Sequence, residues 1–566
     1  MQCNLQTYCT VKHGMVYLEK MTLAELSQKA VIQYSKRMAF EIYRDGHTYN
    51  RITYQEFGLR TRQFAALLIS LGVRAGDRVM LLAENRPEWP IAYFAAALAG
   101  AVTVPVLTDF SSEQIITIAS HAGISALCIT EKTSPKLTGG GIDPAIPFIY
   151  IDSIEEADNG PVAKVSIQVV LHGRKKRLPL QEGGAFPETR ETDLATLIYT
   201  SGTTGSSKGV MLSHRNLLYN VLSSRSLMKI FPRDRLLSII PLAHTYECTL
   251  GLLNAVMNGA STVYLDRAPA PSVLFPAIQA LRPTAMVTVP LFIEKIYRNR
   301  IAPALLANPL YRFPLTRFLA IAWAGRTLMS TFGKAIRFFG IGGAPLSEDT
   351  EAFLRKVKFP YAPGYGLTEA APLVSGTAPY HFPFRSAGSV LKDIEVRIVP
   401  NQAPGDTPLE GEIQVRGPNV MMGYYRDEEK TREAFTVDGW FKTGDLGFLD
   451  KRGHLFIRGR LKALILGPSG ENIYPEEIEG LLSTSHLVED ALVYPSDKGE
   501  LIALVVLSEK AKTMLAAIEG RLEDLKTGIN KQLASFSRIH RIEIRYEPFE
   551  KTSTLKIKRF LYPGAR

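Results

Sequence analysis

The chain has 566 residues, of which 46% are hydrophobic and 21% charged, proportions ordinary for a soluble globular protein of several domains. Its net charge of +11 favours polyanionic ligands such as nucleotides or an anionic membrane surface. The sequence contains no basic helix, aromatic-basic repeat or zinc-ligand spacing, which argues against nucleic acid as a partner. Four cysteines without a CxxC pair indicate a reducing compartment, and no apolar signal core is found in the first twenty residues. These features predict a cytoplasmic protein.

From the amino end, the chain alternates helical and strand patterns. Apolar spacing predicts an amphipathic helix over 21–35, and its apolar positions are Leu23, Leu26, Ala30 and Ile32. It also predicts a helix over 54–71, with one face formed by Leu59, Phe64, Leu67 and Leu68. Further strands and helices are predicted at 48–54, 78–82, 88–98, 102–106, 126–129 and 148–151. This alternation is typical of a layered α/β domain with mostly parallel sheets.

Two stretches before residue 200 need a separate interpretation. Residues 90–107 are the most apolar part of the chain, but Gly100 and Pro105 favour a buried helix followed by a buried strand over a membrane span. Residues 165–192 are polar and include the basic run 174–177. We interpret them as a solvated surface loop, with a membrane or phosphate contact as the alternative.

A loop rich in glycine, serine and threonine, Thr200-Ser201-Gly202-Thr203-Thr204-Gly205-Ser206-Ser207-Lys208, follows the apolar strand 194–199 and precedes a helix beginning near Ser213. Such a loop offers backbone N–H groups and hydroxyls to an oxyanion, and Lys208 adds a point charge for phosphate. Because the loop lacks the Walker A spacing, it is a different kind of phosphate site. A flexible linker would have polar flanks, and these flanks are apolar.

Residues 239–247, Ile-Ile-Pro-Leu-Ala-His-Thr-Tyr-Glu, predict a strand that runs into a helix over 246–257. His244 lies at this junction, where ligands commonly bind in α/β folds. A lone histidine is otherwise usually structural.

Residues 301–334 are apolar but are interrupted by three arginines and three prolines. We expect them to pack as short helices; the alternative is contact with a membrane surface.

Three later motifs carry polar groups suited to a nucleotide. A strand over 338–341 ends in Gly342-Gly343-Ala344-Pro345, whose small residues let a flat ring approach the backbone. Next comes Tyr365-Gly366-Leu367-Thr368-Glu369, with an aromatic ring for stacking, a hydroxyl and a hard oxygen ligand for magnesium. Asp445 follows in Lys442-Thr443-Gly444-Asp445, and Arg460 closes a predicted strand.

Past Arg460 the pattern changes to short strands and two helices, over 474–482 and 511–533. This predicts a small α+β domain at 461–566, after a large domain at 1–460. Near the end of the chain is Lys551-Thr552-Ser553-Thr554-Leu555-Lys556, a basic segment that in isolation would be a solvated tail.

Together these motifs resemble the adenylate-forming superfamily of acyl-CoA synthetases, adenylation domains and luciferases, in the order the family has them. The resemblance implies that the nucleotide is bound by Thr200, Ser201, Gly202, Thr203, Thr204, Gly205, Lys208, Gly342, Gly343, Ala344, Tyr365, Gly366, Thr368, Asp445 and Arg460. It assigns magnesium to Glu369, the hinge to Lys462 and catalytic roles to Lys208, Thr368, His244 and Lys556. Leu555 departs from the glycine that many members have before this lysine.

The resemblance further implies a mobile small domain, with ATP, Mg²⁺ and CoA as cofactors. The element at 241–247 is typical of fatty acyl-CoA synthetases, so the expected reaction activates a long-chain fatty acid as acyl-AMP and transfers the acyl group to CoA. A short-chain or aryl acid would fit the same catalytic parts, and holo-acyl carrier protein could replace CoA as the acceptor. A non-catalytic nucleotide-binding protein of the same fold is the alternative of another class.

Overall fold

The computed structural model describes residues 15–137, 139–157, 164–181, 183–201, 207–400, 410–466, 472–496, 499–513, 518–551 and 557–562. The first elements in chain order are α1 (Leu23–Tyr34), β1 (Met38–Arg44), β2 (His47–Thr53), α2 (Tyr54–Ser70), β3 (Arg78–Leu82), α3 (Glu88–Leu98), β4 (Val102–Pro105), α4 (Ser112–Ala122), β5 (Ile124–Ile129), β6 (Phe148–Ala157), β7 (Lys164–Leu171), β8 (Arg174–Pro179), β9 (Leu194–Ser201), β10 (Ser207–Ser213) and α5 (His214–Ser224).

The middle of the chain adds β11 (Arg235–Leu237), α6 (Asn254–Asn258), β12 (Ser261–Leu265), α7 (Pro271–Leu281), β13 (Ala285–Thr288), α8 (Pro290–Ile296), α9 (Ala302–Ala307), α10 (Pro309–Arg312), α11 (Arg317–Thr331), β14 (Phe338–Ile341), α12 (Glu348–Lys356), β15 (Tyr361–Gly366), β16 (Leu373–Gly376), β17 (Ser389–Val390), β18 (Glu395–Pro400), β19 (Gly411–Arg416), β20 (Gly423–Tyr424), α13 (Glu428–Ala434), β21 (Phe441–Leu449) and β22 (Leu455–Arg460). Two segments, Glu247–Leu253 and Tyr297–Ile301, are π-helical.

The last part contains β23 (Ile465–Leu466), β24 (Asn472–Ile473), α14 (Pro475–Leu482), β25 (Val488–Pro495), β26 (Leu501–Leu507), α15 (Glu509–Lys512), α16 (Ile518–Asn530) and β27 (Ile539–Arg545). Its helices and strands surround a separate cluster of buried apolar side chains. It is therefore an α+β unit with its own core, as the sequence predicts.

Two nine-stranded sheets organise the described residues before β23. Their orders are β17-β16-β15-β14-β13-β11-β12-β1-β2 and β20-β10-β9-β4-β3-β5-β6-β7-β8, and a four-stranded sheet β18-β19-β21-β22 follows. The central pairs of both large sheets are parallel and their edges antiparallel. The largest apolar cluster contains side chains from both large sheets and from α1, α2, α3 and α5. The predicted fold, a large α/β domain with mostly parallel sheets and a smaller carboxyl-terminal domain, is confirmed.

Four local expectations are wrong. The loop predicted over 165–192 contains the hairpin β7–β8, and the basic run lies exposed on its edge strand, where charge discourages pairing with another chain. Ile32 and Leu59, expected on apolar faces, are 80% and 40% exposed. The strand expected at 239–240 ends earlier, at Leu237. The helix expected over 246–257 is present, and its residues Glu247–Leu253 are π-helical.

Candidate active site

The predicted phosphate loop connects two antiparallel strands. Thr200 in β9 pairs with Lys208 in β10, and β10 leads into α5 through a capping box in which Ser213 and Asn216 exchange hydrogen bonds. The backbone register therefore fixes Thr200 and Lys208 opposite each other. Ser201 ends β9. Gly202, Thr203, Thr204 and Gly205 lie outside the described residues.

Lys208 and Glu369 meet through a third side chain, Tyr424. The Lys208 ammonium lies 4.8 Å from the centroid of the Tyr424 ring, a cation–π contact. The Tyr424 hydroxyl donates to Glu369 Oε1 at 3.0 Å. Burial, together with the nearby Glu369 carboxylate, holds the pKa of Tyr424 well above its usual value. The hydroxyl therefore stays protonated and can orient the carboxylate.

Asp445 is held by two partners at the buried end of the site. The Tyr365 hydroxyl donates to Asp445 Oδ2 at 2.6 Å, and Arg460 Nε lies 2.7 Å from Asp445 Oδ1. Asp445 is only 4% exposed, and its charge raises the pKa of Arg460, which stays ionised. Thr443 orients the turn, because its hydroxyl accepts from the Asp445 backbone N–H. Asp445 can thus accept from ribose hydroxyls by exchanging its present partners.

Small residues line the surface near the end of β14. Gly340 and Gly342 pack against the ring of Tyr246, so an added Cβ would lie 3.1 Å and 3.2 Å from its atoms. Gly343 has a φ of +90°, a conformation that favours glycine. At the end of β15, a Cβ on Gly366 would overlap the Pro372 carbonyl oxygen. The chain therefore turns tightly here, and Thr368 and Glu369 follow in a 3₁₀ turn.

His244 and Glu247 have different surroundings, although they are three residues apart. His244 is half-buried and lines the cavity described below. Glu247 is fully buried, with Ser238 and the Ile240 backbone as its polar neighbours. Burial raises its pKa to about 8. Glu247 therefore places a buried carboxyl at the start of the π-helix, three residues after His244.

One cavity of about 2380 Å³ connects these groups. Among the residues assigned from sequence, those lining it are Thr200, Lys208, His244, Gly342, Gly343, Ala344, Tyr365, Gly366, Thr368, Glu369, Asp445, Arg460 and Lys462. Its walls also include apolar side chains from several elements, namely Leu227, Met228, Leu250, Val287 and Phe338. Polar and apolar side chains thus line one shared cavity.

The small domain forms another wall of this cavity. Arg458 Nη2 lies 2.8 Å from Glu410, and its Nη1 lies 3.2 Å from Glu477 at the start of α14. Lys462 is exposed in the single 3₁₀ turn that follows β22. Lys556 lies outside the described residues. The Arg458–Glu477 ion pair therefore joins the two domains across the segment that contains Lys462.

The donor set at Glu369 fits a magnesium–nucleotide complex. Magnesium is commonly held by one or two carboxylates together with substrate phosphates. Glu369 supplies one oriented carboxylate next to Thr368 and across Tyr424 from Lys208. Within the described ranges, no group of three or more His, Cys, Asp or Glu side chains could hold a metal alone. The chain therefore offers a site that nucleotide phosphates would complete.

Tyr424 and Tyr246 are site residues that sequence reasoning missed. Tyr424 lies in Met421-Met422-Gly423-Tyr424, far along the chain from both of its partners. It reaches them because β20 pairs with β10, with Val210 opposite Tyr424. Only this long-range pairing brings it to the site, and no local pattern predicts it.

Comparison with known proteins identifies the family. Residues 27–425 match the family model "AMP-binding enzyme", and residues 463–560 match "AMP-binding enzyme C-terminal domain". A long-chain-fatty-acid–CoA ligase of Mycobacterium bovis is 32% identical over 81% of this chain and 78% of its own length. A 4-coumarate–CoA ligase of Humulus lupulus is 30% identical over 88% of this chain and 86% of its own.

A solved structure has a similar fold over most of the chain. The o-succinylbenzoate coenzyme A synthetase of Bacillus subtilis, in complex with ATP and magnesium ion, aligns with a TM-score of 0.72 and 25% identity. The alignment covers 94% of this chain and 98% of that one. Both domains therefore have counterparts in one known protein. With Lys208, Glu369 and Asp445 around a single cavity and both family models matched in order, the chain belongs to the AMP-binding, adenylate-forming family of enzymes.

Proposed function

We propose that this enzyme is an ATP-dependent, AMP-forming ligase that joins long-chain fatty acids to CoA. In the first half-reaction a carboxylate oxygen of the acid forms a bond to the α-phosphorus of ATP. The bond from that phosphorus to the bridging oxygen breaks, and pyrophosphate leaves. In the second, the CoA thiolate attacks the acyl carbonyl carbon of acyl-AMP, and AMP leaves.

The side chains described above suit the first half-reaction. Attack on the phosphate brings anions together, so cations must screen them. Lys208 would contact phosphate from β10, and Thr368 would donate its hydroxyl to the α-phosphate. Asp445 would accept from the ribose hydroxyls, with Arg460 beside it, and Tyr365 and the 342–344 segment would flank the adenine. Magnesium held at Glu369 would neutralise phosphate charge.

One observation supports a fatty acid as the substrate. Apolar side chains line the same cavity as the groups that would face the phosphates. Leu227 and Met228 follow α5, Leu250 lies in the π-helix, and Val287 and Phe338 lie on adjacent parallel strands. Burying an acyl chain there is favourable by about 0.8 kcal/mol per methylene. His244 lines the cavity as well and would lie beside the acyl carboxylate.

The second half-reaction would use a different orientation of the small domain. We place the domain boundary between residues 460 and 461 and the hinge at Lys462, which is exposed and follows the last strand of the large domain. Lys556 would stabilise the first transition state. It would then withdraw when the small domain turns to admit the pantetheine arm of CoA.

The test is exchange of labelled pyrophosphate into ATP, followed by a thioester assay. Purified enzyme should support exchange with long-chain fatty acids, and should then form thioesters with CoA. No exchange with any fatty acid would refute the fatty-acid assignment. Faster turnover of 4-coumarate would assign the cavity to aryl acids, and faster transfer to holo-acyl carrier protein than to CoA would replace the acceptor.

A further inference from the structure

Residues 306–323 carry a concentration of exposed apolar side chains. The described residues contain twenty large hydrophobic side chains that are exposed, and seven of them lie in these eighteen residues. Those on and just before α11 are Leu315, Phe318, Leu319 and Trp323, at 88%, 65%, 46% and 43% exposure. Leu306, Leu310 and Phe313 lie on the preceding turns. We call this surface the 306–323 patch.

The patch is a second apolar face of α11. The first face, formed by Ala320, Ala324 and Leu328, is buried in the protein core. Phe318, Leu319 and Trp323 lie around the opposite side at helical spacing, and Leu315 comes just before the helix. An apolar outer face has no role in holding the fold together. Contiguous exposed apolar surface of this kind marks a binding surface for a protein or a membrane.

Every charged residue in the sequence segment that contains the patch is basic. The sequence between residues 295 and 347 contains eight lysines and arginines and no aspartate or glutamate. Arg312 and Arg317 are exposed within the patch, and Arg326 is exposed one turn beyond it on α11. Two copies of the chain meeting here would bring their arginines together without neutralising carboxylates from this segment. The charge therefore argues against self-association and favours an anionic surface.

We propose that the 306–323 patch binds the surface of an anionic lipid bilayer, with its aromatic and leucine side chains inserted below the headgroups and its arginines on the lipid phosphates. Apolar insertion and attraction to anionic headgroups together are what hold an interfacial helix at a membrane. The described part of the chain has no helix of sufficient length and hydrophobicity to span a bilayer. Binding would thus be peripheral. This proposal does not depend on the reaction catalysed.

The protein contains its own probe for the test. Of its three tryptophans, Trp89 and Trp440 are 0% and 8% exposed, and Trp323 is 43% exposed. Adding vesicles of phosphatidylglycerol and phosphatidylcholine should shift the Trp323 emission to the blue. The Trp323→Phe variant should still co-sediment with the vesicles but should lack the shift. Vesicles of phosphatidylcholine alone, or high salt, should weaken binding.

Paired variants separate the two contributions. Leu315→Ser/Phe318→Ser should lower partitioning onto the mixed vesicles at least about ten-fold. Arg312→Gln/Arg326→Gln should lower it about twenty-five-fold, or five-fold per charge, on anionic vesicles only. The control Ile32→Ser/Val437→Ser replaces apolar side chains outside the patch that are 80% and 110% exposed, and it should bind normally. Because all these side chains are exposed, every variant should keep the wild-type thermal unfolding and ATP binding.

Three results would overturn the proposal. The first is wild-type protein that neither co-sediments with anionic vesicles nor changes its Trp323 emission. The second is a Leu315→Ser/Phe318→Ser variant that partitions as the wild type does. The third is a Leu315→Ser/Phe318→Ser variant that is monomeric where the wild type is dimeric, or a Trp323 emission that shifts with an acidic carrier protein and not with vesicles. This third result would assign the patch to a protein partner.

Discussion

Replacing Tyr424 by phenylalanine removes one hydroxyl and leaves the ring beneath Lys208. The hydroxyl donates to Glu369 Oε1 at 3.0 Å, and a hydrogen bond to a charged acceptor is worth about 1.5–3 kcal/mol. Glu369 is half-exposed, so water can replace the lost donor in part and the lower end of that range applies. We therefore expect the magnesium concentration for half-maximal pyrophosphate exchange to rise about ten-fold, with little change in rate at saturating magnesium.

The assay is pyrophosphate exchange over a magnesium titration, with calorimetric binding of magnesium–ATP as a second measurement. Tyr425→Phe is the matched control, because its hydroxyl reaches only the Ala122 carbonyl at 3.5 Å. Tyr424→Leu also removes the cation–π contact and should weaken ATP binding about three-fold more. Wild-type magnesium dependence in Tyr424→Phe, or an equal effect in Tyr425→Phe, would refute the role given to this hydroxyl.

Three further predictions concern other parts of the chain. Lys556→Ala should lower acyl-AMP formation about 10²–10³-fold and leave thioester formation from supplied acyl-AMP largely intact; equal loss of both half-reactions, measured separately, would contradict the two-orientation mechanism. Glu247 has a pKa raised by burial to about 8, so between about pH 5 and pH 8 the folded state keeps a proton that the unfolded state releases, and stability falls as pH rises through this window. Glu247→Gln should remove that slope, by an amount on the order of several kcal/mol, in chemical denaturation at a series of pH values; an unchanged slope would assign it to other groups. Gly366→Ala places a Cβ against the Pro372 carbonyl and should destabilise the protein by about 1–3 kcal/mol in thermal unfolding, with slower exchange, whereas Gly480→Ala, where a Cβ meets nothing within 4 Å, should not.

Sequence patterns predicted most elements that carry a strong period. The strand at Arg78–Leu82 and the helix at Glu88–Leu98 have the predicted bounds. Both elements are largely buried, so their residues form continuous apolar runs in the sequence. The hairpin β7–β8 was missed because its outer strand is an edge, and the charges at 174–177 that protect an edge look like a loop. Periodicity could not show that Ile32 and Leu59 have nothing packed over them.

The candidate site, like the fold, was predictable from the sequence only in part. Local motifs were enough to select Lys208, Glu369, Asp445 and Arg460, which now line one cavity. Their partners were not predictable, since Tyr424 reaches Lys208 only through the pairing of β20 with β10. The exposed apolar surface of α11 was also not predicted. Residues 301–334 pack as short helices as expected, but hydropathy could not reveal that α11 has apolar side chains on both faces.

The two arginines of β22 connect ligand binding at Asp445 with the contact between the two domains. Arg460 pairs with Asp445 in the cavity, and two residues earlier Arg458 bridges the large domain to Glu477 of the small one. A ligand that draws Asp445 away from Arg460 must alter the charge balance at the strand that also anchors α14. Linkage is reciprocal. Whichever domain arrangement the nucleotide prefers must in turn bind that nucleotide more tightly, so release of AMP and reorientation of the small domain are parts of one equilibrium.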